Sequence, residues 1–275
     1  MMFNAMRIML TKKVLCCGNS GGFVPIARKF RDYSMTAPEE LSCEMVVPIG
    51  PPVCIQQFTY KGDVEKGKEM SKEWSKLSSA IVNDYKVASY QKKIQAFVGN
   101  MTEKEVKGGG IDERVCMFLA SGLPDEALAI LSNAVTARPK AVKEGVIIMQ
   151  RLGGAIEKKD VEATAFAHRK AQWWITIIAV TAKKGKSAPE GNNALAEEWL
   201  VKVTDELKPH LITNGVGSLS SMFGASPSLA PPKENVFGSP ERVAKLQAIK
   251  AKYDPKNVFS AVENGMSGAH NITPA

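Results

Sequence analysis

In the stretch VCIQQFTYKG, residues 53–62, Val53, Ile55, Gln57 and Thr59 alternate with Cys54, Gln56, Phe58 and Tyr60. A period of two with one apolar and one mixed face predicts a half-buried strand. Asp63 then caps a predicted helix. Val64, Gly67, Met70 or Ser71, Trp74, Leu77 and Ile81 recur at steps of three and four, leaving lysines and glutamates outside. Further strands are predicted in DYKVASY (84–90), RVCMFLAS (114–121), EGVIIMQRLGGAI (144–156) and TAFAHRKAQWWITIIAVTA (164–182), which are rich in β-branched and aromatic residues.

Three more helices follow from their punctuation. LPDEALAILSNAVTARP (123–139) has Pro124 at its first turn, acids at its N-terminal end and a stop at Pro139. EGNNALAEEWLVKVTDELKPH (190–210) offers Asn193 as a cap and Leu195, Trp199, Val203 and Leu207 as the buried stripe. After the Gly-, Ser- and Pro-rich loop 214–238, Ser239 is a cap and Pro240 a first helical residue. Val243, Leu246, Ile249 and Tyr253 form its expected stripe, and Asp254-Pro255 ends it.

Strands and helices alternate without a Gly-rich turn opening a helix, and the glycines at 108–110 read as a loop. The expected class is therefore α+β: an antiparallel β-sheet flanked by helices on one side, not a dinucleotide-binding parallel sheet.

Composition adds mainly exclusions. A chain of 275 residues, 44% hydrophobic and 23% charged, has the makeup and length to bury a core. No apolar run approaches the roughly 18 residues of a membrane span. The net charge of +8 comes from lysines interleaved with glutamates along helices, and no aromatic and basic platform accompanies them. No nucleic-acid or membrane partner is expected. Five cysteines without CxxC spacing and three scattered histidines (His168, His210, His270) predict no metal site.

The first acidic residue is Asp32, preceded by Arg7, Lys12, Lys13, Arg28, Lys29 and Arg31. Acid-poor, basic starts occur in mitochondrial presequences, but the glycines and proline of CCGNSGGFVPIARKF break its amphipathicity, and localisation is left open.

The ending is the most specific signal. ERVAKLQAIKAKYDPKNVF followed by NITP resembles the C-terminal signature of berberine-bridge-enzyme-like FAD-linked oxidoreductases, a branch of the vanillyl-alcohol oxidase superfamily. VVPIGPPVCIQQFTYKGDVEKGKEM, YQKKIQ and LGGAI with TAFAHRKAQWWI are similar to further family segments in the same order, so the resemblance covers residues 46–274.

The resemblance implies FAD as cofactor and oxidation of an alcohol, sugar or similar small molecule. It also implies two domains, with residues 46–275 forming the substrate domain and 235–275 its C-terminal motif. Residues 1–45 would be an N-terminal segment, with GNSGGFVPIARKFRDYSMTAPEELSCEMV resembling the last strand of a largely missing FAD-binding domain. That domain is then a partner in cis or in trans; the alternative is an inactive orphan module that binds or scaffolds. An isolated chain exposing the face meant for it is expected to associate.

Carried over by matched positions, Asn214 and Asn271 would face the cofactor, and Tyr90, Gln95, His168 and Arg169 the substrate. Relatives flank the first amide with tyrosines, whereas here the neighbouring positions are Ile212 and Gly215, so no catalytic base follows from that element.

Overall fold

The computed structural model describes residues 2–10, 22–51, 53–77, 80–89, 91, 113–182, 188–211, 218–220 and 232–258. Among them, eight strands form one sheet. These are β1 (Met2–Leu10), β2 (Leu41–Pro48), β3 (Val53–Lys61), β4 (Val82–Ala88), β5 (Glu113–Ala120), β6 (Glu144–Arg151), β7 (Trp173–Val180) and β8 (Ser218–Ser220). Their order is β4-β1-β3-β2-β6-β7-β5-β8, and every pairing is antiparallel.

The helices are α1 (Phe23–Thr36), α2 (Val64–Leu77), α3 (Asp125–Thr136), the single turn α4 (Ala155–Lys158), α5 (Asn192–Leu207), α6 (Lys233–Phe237) and α7 (Pro240–Tyr253). Helices α2, α1, α3 and α5 lie side by side over one face of the sheet. The α+β class with helices on one side is what is found.

The core between these layers follows the strand period. Cys43, Met45 and Val47 of β2, Cys54, Phe58 and Tyr60 of β3, Ile147 and Met149 of β6, and Trp173, Ile175, Ile177 and Ala179 of β7 are all buried. The Phe58 ring stacks on Trp74 of α2 at 4.7 Å and 7°. The Trp74 indole in turn donates to the Tyr33 hydroxyl of α1 at 2.6 Å.

Gly145 shows how closely neighbouring strands approach. A Cβ at this position would collide with the Ile178 carbonyl oxygen and come 3.1 Å from Ile49 Cδ1. Gly145→Ala should therefore destabilise the fold by about 1–3 kcal/mol through overpacking. The check is a lower urea midpoint with an unchanged m value.

Several expectations change. β1 lies between β3 and β4 in the sheet, and β2 runs across the expected boundary at 45. Phe23–Thr36 is a helix where a strand of a flavin domain was expected. Its buried residues Phe23, Ala27, Phe30 and Ser34 share one helical face. Pro25 does not interrupt it, because it occupies the first turn, where the amide hydrogen has no helical acceptor anyway.

The strand expected from residue 164 begins only at Trp173. Helix α5 starts after Gly191, and Asn193 instead accepts a 2.6 Å bond from Thr181 Oγ1. Its stripe is Ala196, Trp199, Leu200, Val203 and Leu207, with Leu195 outside.

The cap of α7 is as expected: Ser239 accepts from the Arg242 amide at 3.3 Å. Its stripe is not. Only Val243 is buried, and Tyr253 is 75% exposed, because the helix is anchored by its first turn.

One ion-pair cluster ties α1 to α3. Asp125 receives Nε and Nη2 of Arg28 at 3.1 and 2.5 Å and Nη1 of Arg31 at 3.0 Å. Arg31 Nη1 also reaches the Leu123 carbonyl at 2.7 Å. The hydrogen bond from Arg28 is the main reason the Asp125 carboxyl titrates below its usual range. A lowered folded-state pKa gives stability that is present above the unfolded value of about 4 and is lost as pH falls through the folded one. The gap in Tm between wild type and Asp125→Asn should therefore close on acidification, as a pH series of melts would show.

Candidate functional site

The strand period that buries one face presents the other. On β2, β3, β6 and β7 the alternate residues form rows set by the register. One row runs Gln57, Glu44, Gln150, Trp174; the next runs Ile55, Val46, Ile148, Thr176; a third brings Pro48, Val146 and Ile178 together. No described helix of the α1–α3 and α5 layer lies on this side, and Val46, Ile55, Val146, Ile148, Trp174, Thr176 and Ile178 are half-buried.

The result is an aliphatic surface edged by polar groups. Within the edge, Gln150 Nε2 donates to Glu44 Oε2 at 2.6 Å, and Trp174 Nε1 donates to Thr176 Oγ1 at 3.1 Å. Such a surface suits a flat, largely apolar ring whose polar periphery meets the amides and the carboxylate. It is also a surface that a second domain can cover.

Sequence reasoning missed Glu44, Gln57, Gln150 and Trp174. The alternation in LSCEMVVP and EGVIIMQR places Glu44 and Gln150 opposite the buried set. Only the register, however, shows that they meet.

A second cluster closes one edge of the molecule. Arg242 of α7, with an 11% exposed side chain, donates through Nε to the Phe237 carbonyl at 2.7 Å and through Nη2 to the Thr164 carbonyl at 2.6 Å. Its Nη1 reaches Glu162 Oε1 at 2.5 Å. His168 Nε2 lies 2.8 Å from the Val236 carbonyl, so with the proton on Nε2 it donates there. Gly238 has φ +94°, and a Cβ on it would sit 2.5 Å from Ala167 Cβ. The connection between β6 and β7 is thus clasped to the α6–α7 junction.

Of the residues expected to bind ligands, His168 and Arg169 are buried within this clasp. Arg169 donates through Nη2 to Thr164 Oγ1, and its guanidinium lies 5.2 Å from the centre of the Phe166 ring. Tyr90, Gln95, Asn214 and Asn271 lie outside the described residues.

Among the described cysteines, Cys43 and Cys54 are buried, and burial pushes both thiols up to about 12, which removes them as nucleophiles. Among the described residues no His, Cys, Asp and Glu side chains gather as a metal site, and no helix is long and apolar enough to cross a membrane.

An antiparallel sheet with helices on one side and, among the described residues, an apolar surface with a polar rim on the other defines the class: an α+β domain. Residues 229–264 match the family model described as "Berberine and berberine like". No curated protein matches the chain.

Solved structures share its fold along its whole length. BBE-like 1 of Physcomitrella patens superposes with a TM-score of 0.68 at 16% identity, covering 100% of this chain and 54% of its own. A chitooligosaccharide oxidase gives 0.69 at 17%, covering 100% and 56%. Glucooligosaccharide oxidase from Acremonium strictum, described with a 6-S-cysteinyl, 8α-N1-histidyl FAD, gives 0.62 at 18%, again covering 100% and 56%. The chain therefore has the BBE-like fold and carries the berberine-like C-terminal element. It spans little more than half the length of these structures.

Proposed function

We propose that this chain contributes the substrate-side domain of an FAD-linked oxidoreductase acting on an alcohol or sugar, its open sheet face lying over the isoalloxazine ring. The observation that carries this reading is the open aliphatic face of β2, β3, β6 and β7, in a fold shared with oligosaccharide oxidases. A companion flavin domain, in cis or in trans, supplies the contacts to pyrophosphate and adenine.

The residues present fit the ring. Val46, Ile55, Ile148 and Ile178 offer a plane, and Gln57 and Gln150 offer amides at its border. From the resemblance, Asn214 and Asn271 are assigned to the cofactor's polar edge, and Tyr90 and Gln95 to the substrate. His168 and Arg169 act from the clasp as positioning residues for the β6–β7 connection. When bound, FAD would supply the two-electron oxidation chemistry.

The chain's own part is to orient the substrate, exclude water and hold a proton. Glu44 is the group placed for the last role, since Gln150 fixes one of its oxygens and leaves the other for a substrate hydroxyl. Glu44→Gln should slow substrate-dependent flavin reduction by about 10²–10⁴-fold.

The experiment mixes the chain with FAD and with a BBE-like flavin domain, adds glucose, chitooligosaccharide or a primary alcohol without oxygen, and follows bleaching of the flavin. Bleaching by one of these substrates is expected. Flavin bound but unbleached would favour a binding module, and no flavin bound in either mixture would overturn the reading.

A further inference from the structure

A pocket of about 310 Å³ lies where β3 and β6 end and β2 begins, between the C-terminal end of α1 and the turn after β6. Its walls mix apolar side chains (Leu41, Leu152 and Ile156) with Ser42, Thr59 and one guanidinium, that of Arg151. Arg151 is only partly exposed, and among the described residues no carboxylate lies within ion-pair distance of it.

Its one hydrogen bond among the described residues is from Nη1 to the Gln172 carbonyl at 3.0 Å, and that carbonyl already accepts the Leu152 amide at 2.8 Å. Nε is fully enclosed with no acceptor. A partly buried guanidinium with an enclosed and unsatisfied Nε–H is a costly group to hold in place.

The backbone is shaped to hold it there. Gly153, at φ +138°, lies flat against the fork: a Cβ would come 3.1 Å from Nη1 and 3.4 Å from the guanidinium carbon. Among the described residues Nη2 has no bonding partner, and it is not enclosed, so the distal edge of the fork is the part left for a ligand. Of the acids nearby, Glu157 attracts the guanidinium without bonding to it. Glu39 is paired with Lys158, and Glu40 stands exposed at the mouth beside Lys61.

We propose that this pocket binds a small organic carboxylate, its anionic end on the Arg151 fork and its apolar part against Leu41, Leu152 and Ile156. A planar carboxylate matches the fork geometry, and the apolar walls favour an organic acid over an inorganic anion. Ser34, Ser42, Thr59 and Lys61 also line the pocket. The site lies away from the aliphatic centre of the open face and does not depend on the flavin reading.

The test is an NMR titration of the ¹⁵N-labelled full chain with benzoate, benzyl alcohol and inorganic phosphate, read at the Arg151 Nε–H and its neighbours. Benzoate should saturate, while benzyl alcohol and phosphate should not. Arg151→Met should weaken benzoate by about tenfold or more, and Arg151→Lys, which keeps the charge but loses the fork, nearly as much. Should Arg151 variants not fold, Ile156→Asp, at a side chain 39% exposed, places a like charge at the wall and should also weaken benzoate about tenfold. No saturation by benzoate, equal affinity in the folded variants, or saturation by phosphate in preference would each overturn the assignment.

Discussion

Replacing Phe30 with alanine should cost about 3–5 kcal/mol of stability, the range for removing a fully buried aromatic from a packed core. Phe30 is 1% exposed and sits between the helix layer and the sheet. Its ring centre lies 5.8 Å from that of Phe58 on β3 and 6.2 Å from that of Trp173 on β7. Through Phe58 it also touches the stack on Trp74 of α2. The surrounding rings are held by strands and cannot close the cavity, which places the expected loss toward the upper end. Urea unfolding of the full chain measures it. The result also bears on organisation: a residue of an appended segment would leave the midpoint within about 0.5 kcal/mol of wild type, as surface substitutions do.

Arg242→Met should open the clasp while leaving the sheet folded. The arginine is the only described side chain that bonds at once to the α6–α7 junction (Phe237 carbonyl) and to the β6–β7 connection (Thr164 carbonyl and Glu162). Each charge-assisted bond contributes about 1.5–3 kcal/mol, but Glu162 is 65% exposed and regains water when released. The net local loss is then about 2–3 kcal/mol. Hydrogen exchange of amides in 162–171 should accelerate by about 30- to 160-fold, while amides of β2 and β3 keep their protection. Uniform acceleration would mean that the clasp is part of the global folding unit. Methionine keeps the length of the stem, so the change reports the lost hydrogen bonds more than lost packing.

The sequence was most legible where one period ran uninterrupted. The alternation around Phe58 gave β3, the heptad-like spacing around Trp74 gave α2, and Ser239-Pro240 gave the start of α7. Failure came where local chemistry and tertiary context disagree. Gly22 and Pro25 looked like breakers, yet they mark the start of α1 because a helix tolerates proline in its first turn.

TAFAHRKAQ carries strand-like residues but is held as a connection by the bonds of His168 and Arg169, so β7 waits until Trp173. In α7 the stripe Leu246, Ile249, Tyr253 is helical in spacing but only Val243 finds a partner layer. Periodicity reports that a face is apolar; it does not report what covers it.

The candidate site was less legible still. Glu44 and Gln150 are 106 positions apart, and only the pairing of β2 with β6 brings them to 2.6 Å. Arg151 looks like an ordinary strand-ending cation until the Gly153 turn is seen folded over its fork. Both features depend on register, which one-dimensional patterns leave undetermined.

The claim on which the functional reading rests is that the aliphatic face of β2, β3, β6 and β7 receives an isoalloxazine ring. Lumiflavin, the ring without its nucleotide, tests this in an NMR titration of the isotope-labelled full chain. Saturable shifts at the Trp174 indole N–H and the Ile148 methyls, with the Trp74 indole on the helix side unmoved, are the predicted result. Shifts that fail to saturate, or that appear at Trp74 and spare Trp174 and Ile148, would contradict it.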